Sequence, residues 1–378
     1  MTNYADAGVD VDIEAQAAKI FYEAAKTTWK NRDNNIGQVT VPFDDFSGSR
    51  SIHVGQLPAG TFMNIGFDTV GTKAEIAQRV GKHDTIAYDL VAMVADDAVV
   101  RGAEPVIMGS NLETNSLGTP ENNHLDIIRQ LAKGYAEAAN IAGVAITNGE
   151  TAQIGDAVSG YGEFNYNWGA SLAWFGTQSR MFNGSEIQPG DTLVGLAEPG
   201  MRCNGFSLAR KILADMHGEQ WHEVPFASTT SGEELLTPSI IYARAVTEMF
   251  GGWNESVKPA APIHGVAHIT GGGIPEKVGR MLKNSRYGAG ITNPFAPNEL
   301  TLFMQEFGKV SDRDAYRTWN MGQGMILATP DPSAVLAVAS KHNLEAKIVG
   351  TIITDHSVII NSQGFNADSE SRISYPIE

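Results

Sequence analysis

The chain has 378 residues, 42% hydrophobic and 19% charged, with a formal net charge of −16. That balance excludes a disordered chain, and the acidity excludes nucleic acid or an anionic membrane gripped through general basic charge. A single cysteine, Cys203, excludes an internal disulfide framework and fits a reducing, cytoplasmic setting.

A chain of this size exceeds one ordinary core, so two domains are expected. No apolar run approaches about 18 residues, which predicts no membrane span. The first ten residues lack a basic stretch followed by an apolar one, so no secretory leader is expected. After this polar start, residues 12–29 read as a helix with Ala, Ile and Phe on one face. Residues 30–50 read as loop with at most a short strand. A short apolar stretch, Phe62–Phe67, runs into "GFDTVGTKAE" (66–75), where a strand gives way to a glycine turn and a helix. Residues 84–100 form the clearest helix, with Asp84 as N-cap and Gly102 as stop. Then come a strand in "EPVIMGS", a helix over 122–142, a strand "GVAITNGE" ending at Glu150, and a strand "ASLAWFGT". The turn-rich segment around residue 180 divides 1–180 from 181–378. Beyond it the rhythm restarts: strand "TLVGLA", glycine loop, helix "FSLARKILADM", and further elements to "SVIIN". Strand–helix alternation in both halves points to an α/β or α+β class.

Neither G-x-x-x-x-G-K-[ST] nor a helix-opening G-x-G-x-x-G occurs, and one cysteine leaves no zinc framework. The nine histidines are scattered, and ordinary core or surface roles suit most of them. The acids say more. On helix 84–100, Asp89 and Asp96 lie seven apart, at nearly one angular position, with Asp97 on the adjacent flank. Their neighbours are apolar, so such carboxylates need a partner or a cation. With Asp68 and Glu150 at strand ends, an oxygen-rich set suited to Mg²⁺ is possible; a helix with a solvated acidic side is the alternative. Two glycine loops before helices, "HITGGGIPEKVGRML" and "EPGMRCNGFSLARKIL", suit a phosphate or carboxylate, or are plain turns.

The blocks "YADAGVDVD", "DTVGTK", "HDTIAYDLVAMVADDAVVRGAEP", "NGETA", "NGFSLARKIL", "AHITGGG" and "YRTWNMGQGM" occur in one order. That order resembles the phosphoribosylformylglycinamidine cyclo-ligases, or aminoimidazole ribonucleotide synthetases, of purine biosynthesis. The resemblance covers almost the whole chain. It implies an α+β fold in two domains: 1–180, an ATP-binding domain whose mixed sheet pairs into a dimeric barrel, and 181–378, a substrate-binding α/β sandwich. It further implies a homodimer, ATP with Mg²⁺, and a small ribonucleotide substrate. The implied reaction is ring closure: the formyl amide oxygen takes the γ-phosphoryl group, and the internal nitrogen then displaces phosphate from the activated carbon.

By position, the resemblance makes Asp68, Asp97 and Glu150 the carboxylates of Mg²⁺–ATP. Gly71, Thr72 and Lys73 would cradle the polyphosphate, with Asp89 and Thr151 also toward the nucleotide. Asn204, Gly205, Thr270, Gly271, Gly272, Gly273 and Asn320 would surround the substrate. Lys73, Asp97 and Arg202 are the expected catalytic side chains. The chain departs from the family pattern at Thr69 (usually Gly), Asp96 (usually Asn), "GSN" (109–111, ending at Asn111) and Asn167 (an acid lost at each), "QIGD" (153–156) and "FDDFSGS" (43–49). Arg202 stands where the family loop carries His. A guanidinium does not release its proton, so Arg202 offers a phosphate or oxyanion contact in place of proton transfer.

Overall fold

The computed structural model describes residues 10–41 and 50–377. The opening block up to residue 9 and the "FDDFSGS" segment lie outside the described residues. The chain divides into two compact units, Met1–Ala95 with Pro105–Phe175, and Asp96–Glu104 with Gly176–Glu378. The second unit thus also takes the end of the helix read at 84–100.

The first unit holds α1 (Val11–Lys26), β1 (Gln38–Thr40), β2 (Ser51–His53), β3 (Thr61–Thr69) and α2 (Lys73–Val80). It continues with α3 (Ile86–Val99), β4 (Glu104–Thr114), α4 (Leu125–Ala142), β5 (Ala145–Gln153) and β6 (Tyr166–Thr177). Helix α1 starts where the Asp10 carboxylate accepts from the backbone N–H groups of Asp12 and Ile13, at 3.0 and 3.1 Å. That cap satisfies donors a helix N-terminus otherwise leaves open. Four strands form a sheet in the order β3-β6-β4-β5, with β4 and β5 parallel and Asn111 opposite Glu150. Helices α1 and α4 pack together, and α1 also lies on β5. Beneath them Trp168 is fully buried, edge-on to Phe21 and Tyr135 at 6.2 and 5.3 Å between centroids. An aromatic cluster of this kind supplies much of a small unit's apolar burial.

In the second unit, β7 (Thr192–Ala197), α5 (Phe206–His217), β8 (Pro225–Phe226), β9 (Thr229–Thr230), α6 (Ser231–Leu235) and α7 (Ala243–Phe250) come first. Then follow β10 (Gly265–His268), α8 (Gly273–Leu282), β11 (Gly288–Ile291), α9 (Glu299–Gly308) and α10 (Asp312–Thr318). The chain closes with β12 (Gln323–Thr329), α11 (Pro332–Lys341), β13 (Ala346–Ile353), β14 (Ser357–Asn361) and β15 (Arg372–Pro376). Seven strands pair in the order β10-β12-β7-β13-β11-β14-β15; the pairing is antiparallel except for β11 with β14. Every residue of β10, β11 and β12 is buried, the pattern of strands covered on both faces. Helix α8 packs against β10, β11 and β14, and α11 against β7 and β13. The overall class is α+β, as the sequence led one to expect.

Candidate active site

In the first unit, all four strands of the sheet contribute to one cavity of about 530 Å³. Asp68 at the end of β3, Asn111 on β4 and Glu150 on β5 line it together. Asp68 and Glu150, read separately from two strand ends, therefore face a common space. Glu150 also lines a smaller cavity of about 180 Å³ with Thr151, Arg50 and Tyr135.

The glycine turn after β3 is closed by its own side chains. Asp68 Oδ1 accepts from the Thr69 N–H at 2.7 Å, and Thr69 Oγ1 accepts from the Gly71 N–H at 3.2 Å. Gly71 takes φ +56, and Thr72 is the N-cap position of α2. Lys73, the first residue of that helix, turns inward. Its Nζ donates to Asp89 Oδ1 at 2.7 Å, and both side chains are fully buried. Lys73 and Asp89, both read toward the nucleotide, thus form a buried ion pair with each other. The reason is that a carboxylate on the apolar face of α3 needs a counter-charge, and α2 brings one.

In the second unit, the last turn of α3 carries Asp96 and Asp97. Asp96 is fully buried. Its Oδ1 accepts from the Tyr242 and Ala243 N–H groups at 2.9 and 2.8 Å, capping α7, and its Oδ2 accepts from Arg202 Nη2 at 3.0 Å. Burial pushes the Asp96 carboxyl above its ordinary value, against the pull of the Arg202 charge. Arg202 sits at φ +50, and its guanidinium is buried. Nη1 donates to Glu198 Oε2 at 2.6 Å and to the Ile240 carbonyl at 3.1 Å. Desolvation opposes the charge, but Glu198 and Asp96 hold the Arg202 pKa above its ordinary value. The hydrogen bonds of Nη1 and Nη2 thus run to protein acceptors, while Nε has no hydrogen-bond partner among the described residues.

Asp97 points outward, its side chain 54% exposed, with Oδ1 2.7 Å from His268 Nδ1. Partial desolvation raises its pKa; the His268 hydrogen bond and the Lys277 and Arg202 charges outweigh this and leave it below the ordinary carboxylate value. The remaining expected substrate residues come from three segments that meet. Asn320 Nδ2 donates to the Gly200 carbonyl at 3.0 Å, and a Cβ on Gly271 would lie 3.4 Å from Asn204 Nδ2. Gly205 has φ +83, and a Cβ there would strike the Trp319 ring at 2.3 Å. At Gly273, with φ +63, a Cβ would meet the Tyr316 carbonyl oxygen at 2.0 Å. Packing alone therefore demands glycine at these two positions. Thr270 is buried and its carbonyl accepts from the Gly273 N–H at 2.8 Å, with Gly272 at φ +87 capping α8. Asn204 Oδ1 is buried without a hydrogen-bond partner among the described residues.

Among the described residues, no three His, Cys, Asp or Glu side chains cluster closely enough to hold a metal by themselves. The oxygen donors on the first-unit cavity still fit Mg²⁺, which commonly uses one or two protein carboxylates and completes its shell with substrate phosphates and water.

Known proteins bear on this geometry. Residues 52–168 match the family model of the AIR synthase related protein N-terminal domain, and 188–361 match that of the C-terminal domain. A phosphoribosylformylglycinamidine cyclo-ligase of Acetivibrio thermocellus is 32% identical over 94% of this chain and 98% of its own length. That of Geotalea uraniireducens is 34% identical over 92% and 94%. The chain belongs to the phosphoribosylformylglycinamidine cyclo-ligase family. Among solved structures, the hydrogenase maturation protein HypE of E. coli superposes with a TM-score of 0.60 at 14% identity, covering 96% of this chain and 97% of that one. HypE in complex with ATP superposes with a TM-score of 0.56 at 16% identity, over 87% and 88%. At these identities the likeness concerns the fold.

Seen as a cyclo-ligase, the chain has three side chains at its second-unit site that sequence reasoning did not single out: His268, Glu198 and Tyr242. His268 stood in the quoted "AHITGGG" block, and its place at the end of β10, directly before the glycine loop, was the available signal. Glu198 opens the quoted "EPGMRCNGFSLARKIL" loop, four residues before Arg202; Tyr242 carried no signal, since only the fold brings it to Arg202.

Proposed function

We propose that the chain is an ATP-dependent cyclo-ligase that closes formylglycinamidine ribonucleotide to aminoimidazole ribonucleotide, releasing ADP and phosphate, in purine biosynthesis. The observation that carries this reading is 32% identity to a named cyclo-ligase over 94% of the chain. Asp68 and Glu150 on the first-unit cavity are assigned to Mg²⁺–ATP, and Asp97, in the second unit, keeps the nucleotide role that the resemblance implies. Amide oxygen is a poor leaving group, so the chemistry requires its activation, and a divalent ion disperses the charge of phosphoryl transfer when bound. The residues' own part is to hold oxygen donors in place and to bring two ends of one substrate together. Asn204, whose buried Oδ1 lacks a protein partner, is assigned to the ribonucleotide, with Thr270 and Gly271 beside it. Unsatisfied buried acceptors are costly, so a ligand donor at that point is favoured.

The working form we assign is a homodimer in the cytoplasm. Met63, Ile65 and Phe67, alternating along the terminal strand β3, are 54%, 45% and 76% exposed, an apolar strip that a second copy would cover. The single cysteine, Cys203, is buried and leaves no internal disulfide to form, which suits a reducing compartment.

Incubating the protein with ATP, Mg²⁺ and formylglycinamidine ribonucleotide is expected to yield aminoimidazole ribonucleotide with ADP and phosphate. ATP consumed on a different acceptor, without ring closure, would move the chain to another activity. Asp97→Ala is expected to abolish Mg²⁺-dependent turnover while the circular dichroism spectrum stays native; near-normal turnover would remove Asp97 from the site.

A further inference from the structure

We propose that Arg202 is a positioning residue, which acts through His268 to hold Asp97. The chain of contacts is short and lies wholly within the second unit. Arg202 Nη2 is 2.6 Å from His268 Nε2, and His268 Nδ1 is 2.7 Å from Asp97 Oδ1. A guanidinium has five N–H donors and no acceptor. At the Arg202 contact, His268 Nε2 is therefore the acceptor and carries no proton. The one imidazole proton sits on Nδ1 and is donated to Asp97. The guanidinium thus selects between two tautomers that are otherwise close in energy, and the selected one ties down a single oxygen of an exposed carboxylate. The other oxygen stays available to a ligand.

The guanidinium is itself held from several sides. Glu198, Asp96 and the Ile240 carbonyl accept its protons, and its Cζ lies 5.4 Å from the Tyr242 ring centroid. Tyr242 in turn donates to the Ala197 carbonyl at 2.7 Å and to Glu198 at 3.2 Å. A lysine has one compact ammonium and cannot span these acceptors in one plane. Partners behind a ligating group commonly fix its orientation and are worth roughly 10- to 100-fold in metal affinity or activity.

The consequence for turnover rests on the reading of Asp97 as a nucleotide-site carboxylate, whereas the tautomer does not, so they are tested separately. Two-bond ¹H–¹⁵N spectra of histidine-labelled protein, recorded without nucleotide or metal, report which ring nitrogen of His268 is protonated; a His268→Gln variant identifies its signals. The wild-type spectrum is expected to show Nδ1 protonated and Nε2 bare. In Arg202→Met the tautomers should mix, and both turnover and apparent Mg²⁺ affinity should fall roughly 10- to 100-fold, with no rescue by Arg202→Lys. A proton on Nε2 in the wild type, or an unchanged tautomer and turnover in Arg202→Met, would overturn the proposal. If the single variant does not fold, because the Asp96 and Glu198 charges are no longer offset by Arg202, the triple variant Asp96→Asn/Glu198→Gln/Arg202→Met removes both acids with the cation, and the same readings apply. Failure of the Asp97 reading is recognised independently, by normal turnover in Asp97→Ala.

Discussion

Strand β3 in the first unit and strand β12 in the second are both rich in apolar side chains, yet they meet opposite surroundings. In β12 all seven residues, Gln323–Thr329, are buried, because the strand lies between β10 and β7 and is covered on both faces. In β3 the alternation of a strand puts Met63, Ile65 and Phe67 on one face, and that face is bare. The second unit completes its sheet from its own chain. The first unit stops one layer short along β3. Apolar strips of this kind on a terminal strand are normally covered, blunted or paired, and β3 carries no lysine or proline to blunt it.

The sharpest way to break this comparison is to show that the first unit is loosely built throughout, so that the bare strip means little. Asp89→Ala tests that. The substitution removes the Asp89 carboxylate from its buried pair with Lys73, and breaking a buried pair by removing one partner costs about 3–5 kcal/mol. Urea unfolding of the first unit should show a loss of that size. A loss near zero would mean that water already reaches the junction of α2 and α3.

A second test of the same interior uses pH. His83 is buried, with Nδ1 3.1 Å from the Tyr166 hydroxyl, and burial lowers its pKa from 6.5 to about 4, partly offset by Asp84. As pH falls the unfolded chain binds the proton first. The stabilising contribution of neutral His83 is therefore complete above its unfolded pKa and is lost as pH falls from 6.5 toward 4. Between about pH 7 and pH 5 the first unit should lose on the order of 2 kcal/mol from this residue. His83→Gln should flatten that part of the profile; an unaltered slope would assign it to other groups.

What the sequence made legible follows the reach of each signal. Local signals were clear: the acidic helix over 84–100 appears as α3, Ile86–Val99, and the glycine loop of "HITGGGIPEKVGRML" runs into helix α8. That Asp89 and Asp96 need partners was also clear, from carboxylates set among Leu, Val, Ala and Met. The identity of those partners was not, since Lys73 is 16 residues from Asp89 and Arg202 is 106 from Asp96. The departures from the family pattern looked like separate changes along the sequence, yet several meet in space. Asp96 pairs with Arg202, and the two amides at 111 and 167 both donate to Glu113, at 3.0 and 3.2 Å. The glycines at 205 and 273, read as sites of ligand approach, are also demanded by Trp319 and by the Tyr316 carbonyl. Tertiary neighbours of that kind leave no trace in spacing or periodicity.

The smallest change in stability, and the most direct probe of β3, is expected from Phe67→Asp. With the ring 76% exposed, little packing is lost in a single copy, and its stability should stay within about 0.5 kcal/mol of the parent. Association is another matter. If a second copy covers the strip, each interface would bury a new carboxylate against apolar side chains, and every 1.4 kcal/mol of that cost weakens dimerisation about tenfold. Sedimentation at one protein concentration should then find the parent as a dimer and the variant as a monomer. The companion change Ile326→Asp, in the middle of β12, should unfold the second unit instead, because that side chain has no exposed face to retreat to. Identical sedimentation of parent and Phe67→Asp would show that β3 is not where copies meet, and the bare strip would then call for a different cover.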